Sequence, residues 1–454
     1  MRKTVSGIIF AFLLISTFTL AFNVGLVHAQ APHTVYINSD GSVSPPSAPI
    51  STVDNATYTF TGNVSYPTYY GIVVERKNTV IDGNGYAVRG NQSGIGLDLA
   101  SISNVTMENT SIEDFYYGVY LSSSNNITVS STSVTENYYG IWLDSSSNNT
   151  VSRNTVSGNS GVSISLSYSS SNNVVSGNTA TANSGPGIEI DFYSNNNIVL
   201  GNNATANGDN GIIIDYYSSN NVVSGNTATA NSADGIAIES NNNIVIGNTA
   251  TANSNQPYSG ISVSGSNDTV SRNTATANFY GISLEYSSSN TVSDNDVTGS
   301  TEDGILLYDS SNNNVSGNDA AANGNGIHLF ESSNNNAIYH NNFIGNANQT
   351  SVDSTSVGNA WDNGYPSGGN YWSDYQTKYP NAIGNVSSGI WNTPYVIDAN
   401  NTDYYPLLNQ VAVVPEFQPF LLLPLFMIIT LLGAIAFKKK RNPKPRAGIN
   451  KAIV

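Results

Sequence analysis

Residues 187–215 read GIEIDFYSNNNIVLGNNATANGDNGIIID, and the phrase returns at 211–239 as GIIIDYYSSNNVVSGNTATANSADGIAIE. Each copy runs through a glycine, an Ile or Val, a variable residue, an aliphatic residue, a polar turn, an Asn pair, an aliphatic pair and a Gly-Asn step. The glycine recurs as Gly118, Gly140, Gly187, Gly211, Gly235, Gly260, Gly281, Gly304 and Gly326, with Ser163 in the equivalent place of one degenerate copy. About ten repeats of roughly 23 residues result, too short for propeller blades and without the pattern of leucine-rich repeats. Apolar residues alternate over three short segments per copy, and no segment has a helical period. Strands this short bury no face alone, so they must stack coil on coil at about 4.8 Å, with equivalent residues one above another. The expected fold class is all-β: a right-handed parallel β-helix, a solenoid of about ten coils with N- and C-terminal caps and a C-terminal transmembrane helix.

Stacking sorts the repeat positions into roles. The Ile or Val after each glycine, from Val119 to Ile327, points inward, and so does a small-residue column of Ala180, Ala204, Ala228, Ala250, Ala275 and Ala320. Asn178, Asn202, Asn226, Asn248, Asn273, Asn295, Asn318 and Asn341 form a structural asparagine ladder, whose side chains satisfy turn backbone groups and one another.

The two ends carry addresses rather than fold. Arg2 and Lys3 precede an apolar run closed by Val27-His28-Ala29, the layout of a secretory signal peptide over residues 1–29, with an N-terminal membrane anchor as the alternative. Residues 30–95 form the N-terminal cap and first coils, 96–345 the repeats and 346–412 a C-terminal cap module. Residues 413–441 hold Pro415-Glu416-Phe417, an apolar stretch from Phe420 to Phe437 and the basic run Lys438 to Arg441; residues 442–454 are a basic cytoplasmic tail. In that order these elements resemble the PEF-type C-terminal sorting signals of archaeal surface proteins. The resemblance implies an archaeal source and a membrane transpeptidase that removes the tail; a permanent single-pass anchor is the alternative.

All 31 Asp and Glu lie between Asp40 and Glu416, where the bases are Arg76, Lys77, Arg89, Arg153, Arg272 and Lys378, so the exported part is near −25. Such a surface repels nucleic acid and polyanions and favours divalent cations. With no cysteine there is neither a disulfide staple nor thiolate chemistry. Asn-x-Ser/Thr triplets at about a dozen positions, Asn126, Asn148, Asn203 and Asn314 among them, make the chain a candidate glycoprotein.

With the repeat in view, the chain resembles NosD-like proteins, the β-helix class shared with carbohydrate-binding proteins and sugar hydrolases. Tyr36-Ile37, Asp40-Gly41-Ser42-Val43, Gly71 to Arg76 and Val80-Ile81-Asp82-Gly83 look like that family's opening. Trp361 to Pro366, Gly369 to Tyr375, Pro394-Tyr395 and Tyr405-Pro406-Leu407 look like its close. Nearly all of residues 35–408 is covered. Two departures matter. A copper role implies clustered soft or imidazole ligands, whereas the exported part has only Met107, His33, His328 and His340, unclustered in sequence. Residues 384–393 also lack the Asp-rich turn that relatives carry, which removes the expected calcium ligands there.

Chemistry is expected on the outward positions of the glycine-led strand. Two residues after the glycine stand Tyr120, Trp142, Glu189 and His328; four after it stand Asp144, Asp191, Asp215, Glu239 and Glu285; Phe192, Tyr193, Tyr216, Tyr217 and Tyr286 follow. Asp191, Asp215 and Glu239 on successive coils suit shared protons, a calcium ion or glycosidase carboxylates, and the rings suit sugar faces. They are the catalytic and metal candidates; Trp142, Asp144, Glu189, Phe192, Tyr193, Tyr216, Tyr217, Glu285 and Tyr286 are the carbohydrate-binding ones. No Lys, Arg or His stands near Asp191 to Glu239. The residues therefore favour a non-catalytic envelope, adhesion or carbohydrate-binding module at the cell surface over a polysaccharide hydrolase, lyase or epimerase. The expected partners are an envelope glycan, the membrane and a sorting transpeptidase, and calcium is the one cofactor suggested.

Overall fold

A computed structural model describes residues 33–253 and 256–412. Three long parallel sheets run the length of a single rod, of 15, 14 and 14 strands, with consecutive strands of the chain falling on successive sheets. The solenoid has about 13 turns rather than about ten. The extra turns are coils such as the two containing Ile72–Val74 and Ile95–Asp98, which stack in register and keep the glycine (Gly71, Gly96) but lack the Asn pair of the phrase. Stacking requires inward apolar residues at the strand period, and the phrase adds the corners.

Register is exact along the core columns: Ile188 pairs with Ile212 and Ile212 with Ile236 on the glycine-led sheet. Those residues and the alanines of the third sheet, Ala180 to Ala320, are fully buried. Their small side chains let the third sheet approach the glycine-led strand closely. At Gly211 an added Cβ would lie 2.5 Å from Gly235 O, 2.7 Å from Asn231 Nδ2 and 3.0 Å from Ala228 Cβ, so only glycine passes.

The corners carry three asparagine ladders where the sequence suggested one. In the expected column, Asn178 donates its backbone N–H to Asn202 Oδ1 at 2.9 Å and its Nδ2 to the same oxygen at 3.0 Å and to Val151 O at 2.9 Å. A second ladder precedes the second sheet (Asn149, Asn173, Asn197, Asn221) and a third follows the third sheet (Asn159, Asn183, Asn207, Asn231). A serine column, including Ser146, Ser170, Ser194 and Ser218, joins the glycine-led and second sheets in the same manner. Each Asn amide supplies two donors and a two-fold acceptor in one plane, which the buried corner needs and no other small side chain offers.

One rung departs. Asp268 stands in the second ladder between Asn243 and Asn290, 1 % exposed; its Oδ1 accepts the Asn243 N–H at 2.6 Å, while Oδ2 has no partner. Oδ2 occupies the place of an amide donor, and burial pushes the carboxyl up to about 7.

The rod is closed at its C-terminal end by stacked rings. Trp372 lies 4.2 Å from Tyr395 with planes 2° apart and 4.7 Å from Phe343, and its Nε1 donates to the buried Asp403 at 2.9 Å. Among the described residues no helix is long and apolar enough to cross a membrane; the expected signal peptide, sorting segment and C-terminal transmembrane helix lie outside those residues.

Asp268→Asn restores the missing donor and should stabilise the rod by about 1 kcal/mol at pH 4. The folded carboxyl keeps a proton that the unfolded one loses near its ordinary 3.8, so stability falls as pH rises from about 4 to 7. The gain from Asp268→Asn should therefore grow over that window and level off above it, as read from urea unfolding midpoints; an equal midpoint at pH 8 in the two proteins counts against the assignment.

Candidate functional site

On the glycine-led sheet the second residue after each glycine forms an outward column, Tyr120, Trp142, Ser165, Glu189, Ile213 and Ala237. A parallel column two residues on begins Ser122, Asp144, Ser167 and continues through Asp191, Asp215 and Glu239. The last three are held in line because their N–H groups donate to Leu166, Ile190 and Ile214 O on the preceding coil at 3.0, 3.0 and 2.7 Å. Their backbones are thus one strand spacing apart, about 4.8 Å.

Asp191 and Asp215 are buried, 6 and 8 % exposed, whereas Glu239 is exposed. Burial, reinforced by the charges of Asp191 and Asp215, pushes Glu189 up to about 8. Burial and then the charges of Asp191 and Glu239 push Asp215 up to about 7. Asp191 is raised by burial, with the Ser167 hydroxyl beside it pulling the other way. That hydroxyl does not complete a hydrogen bond: Ser165 Oγ, Ser167 Oγ, Asp191 Oδ1 and Asp215 Oδ1 are all buried without a partner within the protein. Four such atoms on three consecutive coils leave hydrogen-bonding capacity unused just beneath the surface of this sheet.

An aromatic cluster adjoins this patch on the preceding coils. Tyr117 and Tyr139 stack at 5.3 Å, Trp142 stands edge-on to Tyr139 at 4.5 Å, and Tyr120 lies 5.0 Å from Tyr117. Tyr120 donates its hydroxyl to Asp144 Oδ2 at 3.2 Å. Burial pushes the Tyr139 hydroxyl up to about 12, with Glu189 among the smaller charge contributions. Trp142, Asp144 and Glu189 therefore share one surface with Asp191 and Asp215.

The other candidates lie elsewhere. Phe192, Tyr193, Tyr216, Tyr217 and Tyr286 have positive φ (46, 62, 42, 63 and 52°), so they form the corner after the strand and not its outward face. There Phe192 is sandwiched between Tyr168 and Tyr216 at 4.9 and 4.6 Å, and Tyr193 stacks on Tyr217 at 5.3 Å. Phe192 is thus covered on both faces, while Tyr193, Tyr216 and Tyr217 stay exposed at this corner. Glu285 sits further along the rod, beside Tyr286, which packs edge-on to Tyr308 at 5.1 Å.

The residues overlooked are the Ser165 and Ser167 hydroxyls, Tyr117 and Tyr139, and the acids of the turn before the glycine. Asp234 there accepts the Ser259 N–H, and burial, with Glu285, Glu239 and Asp209 adding charge, pushes it up to about 7. Its position, directly before Gly235, was the available signal.

Among the described residues no group of three His, Cys, Asp or Glu side chains is arranged to hold a metal ion, and Asp191, Asp215 and Glu239 form no such group. The residues do not suit copper either. Met107 is in the core, His33 stacks on Tyr70, His328 pairs with Asp303, and His340 bonds Ser367 O. Two cavities lie off the strip, one of about 480 Å³ against Thr110, Ser133 and Arg153 and one of about 300 Å³ at the C-terminal cap against Thr350, Lys378 and Tyr395.

Comparison with known proteins gives two family matches. The family described as "Periplasmic copper-binding protein (NosD)" matches residues 168–266 and 216–377, and "Right handed beta helix region" matches residues 50–203. No curated protein matches the chain. Among solved structures, the A-module of the Azotobacter vinelandii mannuronan C-5 epimerase AlgE6 is similar at 16 % identity, covering 67 % of this chain and 88 % of that one, with a TM-score of 0.43. The Dettilon tailspike protein is similar at 14 % identity over 63 and 62 % of the two chains, with a TM-score of 0.47. The catalytic unit of a GH87 α-1,3-glucanase from Streptomyces thermodiastaticus is similar at 15 % identity over 73 and 69 %, with a TM-score of 0.42. The in-register parallel coils, the three continuous sheets and the two family matches together identify the chain as a right-handed parallel β-helix protein.

Proposed function

We propose that this protein is an exported surface module that binds a neutral polysaccharide along its glycine-led sheet, across the Tyr117–Tyr120–Tyr139–Trp142 cluster and the Glu189–Asp191–Asp215 patch. The observation that carries the reading is the set of four buried, unpartnered polar atoms beside those rings. Sugar hydroxyls both donate and accept, so they suit the half-buried Glu189 and the solvent-facing edges of Asp191 and Asp215, and ring faces match the apolar faces of sugar rings. A net charge near −25 over the exported part argues for an uncharged glycan. Export and tethering rest on the N-terminal and C-terminal sequence features alone.

A second reading, hydrolysis of the bound chain, is favoured by Glu189. A carboxyl that keeps its proton to about pH 8, next to Asp191, is the acid half of the pair that glycoside hydrolysis requires.

Two experiments separate these readings. On an array of neutral glycans the protein should retain a β-linked or α-linked glucan or related chain, with Trp142→Ala and Asp215→Asn each weakening binding about 10-fold, the equivalent of about 1.4 kcal/mol. Failure of the protein to retain any neutral glycan removes the proposal, and release of reducing ends that declines above pH 8 and is lost in Glu189→Gln establishes hydrolysis. Stability carries a separate signature. Glu189, Asp215 and Asp234 hold protons in the fold that the unfolded chain releases near its ordinary 3.8 to 4.5, so the thermal midpoint should fall as pH rises from about 4 to 8. Glu189→Gln should flatten the upper part of that decline; a midpoint that climbs with pH over the same window contradicts the assigned protonation.

A further inference from the structure

Six coils beyond Glu189 in the same outward column stands His328, and its surroundings are built. Its Nδ1 lies 3.1 Å from Asp303 Oδ2, and the Asp303 side chain is only 2 % exposed. Asn325 Nδ2 holds the other Asp303 oxygen at 2.7 Å, so the carboxylate is fixed at both ends. The imidazole is half-buried, with the Phe330 ring 5.6 Å away. The hydrogen bond to Asp303 is the main cause that raises the His328 pKa above its ordinary 6.5, with further help from the charges of Asp353 and Glu302.

Order along the rod gives this pair a third member. Asp303 belongs to the strand Asp303–Tyr308, His328 to the next strand of the sheet, Asn325–Phe330, and the strand after that is Asn348–Val352. In that third strand Ser351 is the register partner of His328. Ser351 is half-buried and outward, since its neighbour Thr350 continues the inward column of Ile305 and Ile327. The two ring nitrogens of an imidazole point nearly opposite ways. Nδ1 is engaged by the coil before, and Nε2 is joined by no hydrogen bond to Ser351 Oγ, so the two register partners, one strand spacing of about 4.8 Å apart in the backbone, must close on each other for a proton to pass.

We propose that Ser351, His328 and Asp303 form a hydrolytic relay laid across three consecutive coils, acting on small O-acyl esters such as an acetyl group on a sugar hydroxyl. Ser351 Oγ attacks the acyl carbonyl carbon while its proton passes to His328 Nε2. The bond from that carbon to the sugar oxygen then breaks, and His328 returns the proton to the leaving hydroxyl. Water repeats the sequence on the acyl-serine: it forms the new C–O bond, gives a proton to His328, and the carboxylic acid departs as Oγ is reprotonated. Asp303 is a positioning residue that fixes the tautomer with the proton on Nδ1 and stabilises the imidazolium. The ester chemistry stands by itself; only the sugar part of the substrate rests on the glycan reading above.

The test uses the full-length chain with p-nitrophenyl acetate, which reports the relay whether or not a glycan binds, and in parallel an acetylated neutral oligosaccharide, which reports both. Saturable release of p-nitrophenol is expected, rising with pH as His328 loses its proton. Ser351→Ala and His328→Gln should each lower kcat at least about 100-fold, and Asp303→Asn about 10²–10⁴-fold with the pH profile displaced to lower pH, a displacement that a purely structural role would not give. As a check independent of how the variants fold, a fluorophosphonate probe should modify the native protein at Ser351, located by peptide mass, and should not do so once His328 is replaced. Turnover that survives in folded Ser351→Ala, or a native protein that neither hydrolyses the ester nor is labelled at Ser351, overturns the proposal. Hydrolysis of p-nitrophenyl acetate without action on the oligosaccharide supports the relay and leaves the glycan reading as the part at fault.

Discussion

The rest of the structure depends on the asparagine amide at the corner. A solenoid bends its chain three times per turn, and at each bend backbone N–H and C=O groups are withdrawn from the ladder of the sheets and buried. Leaving one of them unpaired costs about 1–3 kcal/mol, which repeated over about 13 turns would exceed any stability a domain of this size has to spare. The Asn178–Asn202–Asn226 column removes that cost with one planar group per coil: an oxygen that takes two donors and a nitrogen that gives two. Because each amide binds the coil on either side, the column also locks register. A one-residue slip would break every rung at once and turn the core outward.

That dependence explains which features were legible in the sequence. Glycine, inward Ile or Val, alanine and Gly-Asn steps recur because each place tolerates few residue types, so the phrase could be read as a stack of coils without a structure. The coil count was too low because coils such as the one through Ile72–Val74 satisfy the stacking rule without the whole phrase. The second and third ladders were hidden because Asn173 and Asn183 lie among so many other Asn, Ser and Thr that composition masks them. The corner tyrosines were placed on the strand because alternation was extended one residue too far; a left-handed φ at Phe192 and Tyr216 ends the strand there.

The site divides along the same line. That Asp191 and Asp215 neighbour one another follows from repeat spacing alone, and so was visible. That they are buried, and that Ser165 and Ser167 share their lack of partners, depends on side-chain packing that no periodicity encodes. The pairing of His328 with Asp303 is of the same kind. The two residues are 25 apart in sequence and meet only because one lies directly before the glycine of its coil and the other two residues after the glycine of the next.

A repeat protein is also its own alignment. Down the third sheet the outward residues are small and polar, Thr179, Asn203, Thr227, Thr249, Thr274, Asp296 and Asp319 in one row and Thr181, Thr205, Thr229, Thr251, Thr276 and Thr298 in the other. Down the glycine-led sheet the outward column runs Tyr120, Trp142, Ser165, Glu189, Ile213, Ala237, Ser262, Ser283, Leu306, His328 and Ser351, with scarcely two neighbours alike. Stacking constrains both faces equally, since both are outward positions on parallel strands with identical backbone partners. What differs between them must come from something other than stacking. Burying carboxylates beside one another and leaving hydroxyls unpartnered work against stability, and the run of such groups from Ser165 to Asp215 lies on the sheet whose outward column varies, with single cases elsewhere at Asp268 and Ser300. The glycine-led sheet is therefore the face whose outward residues stacking explains least, and that is the reason for placing the proposed glycan strip there.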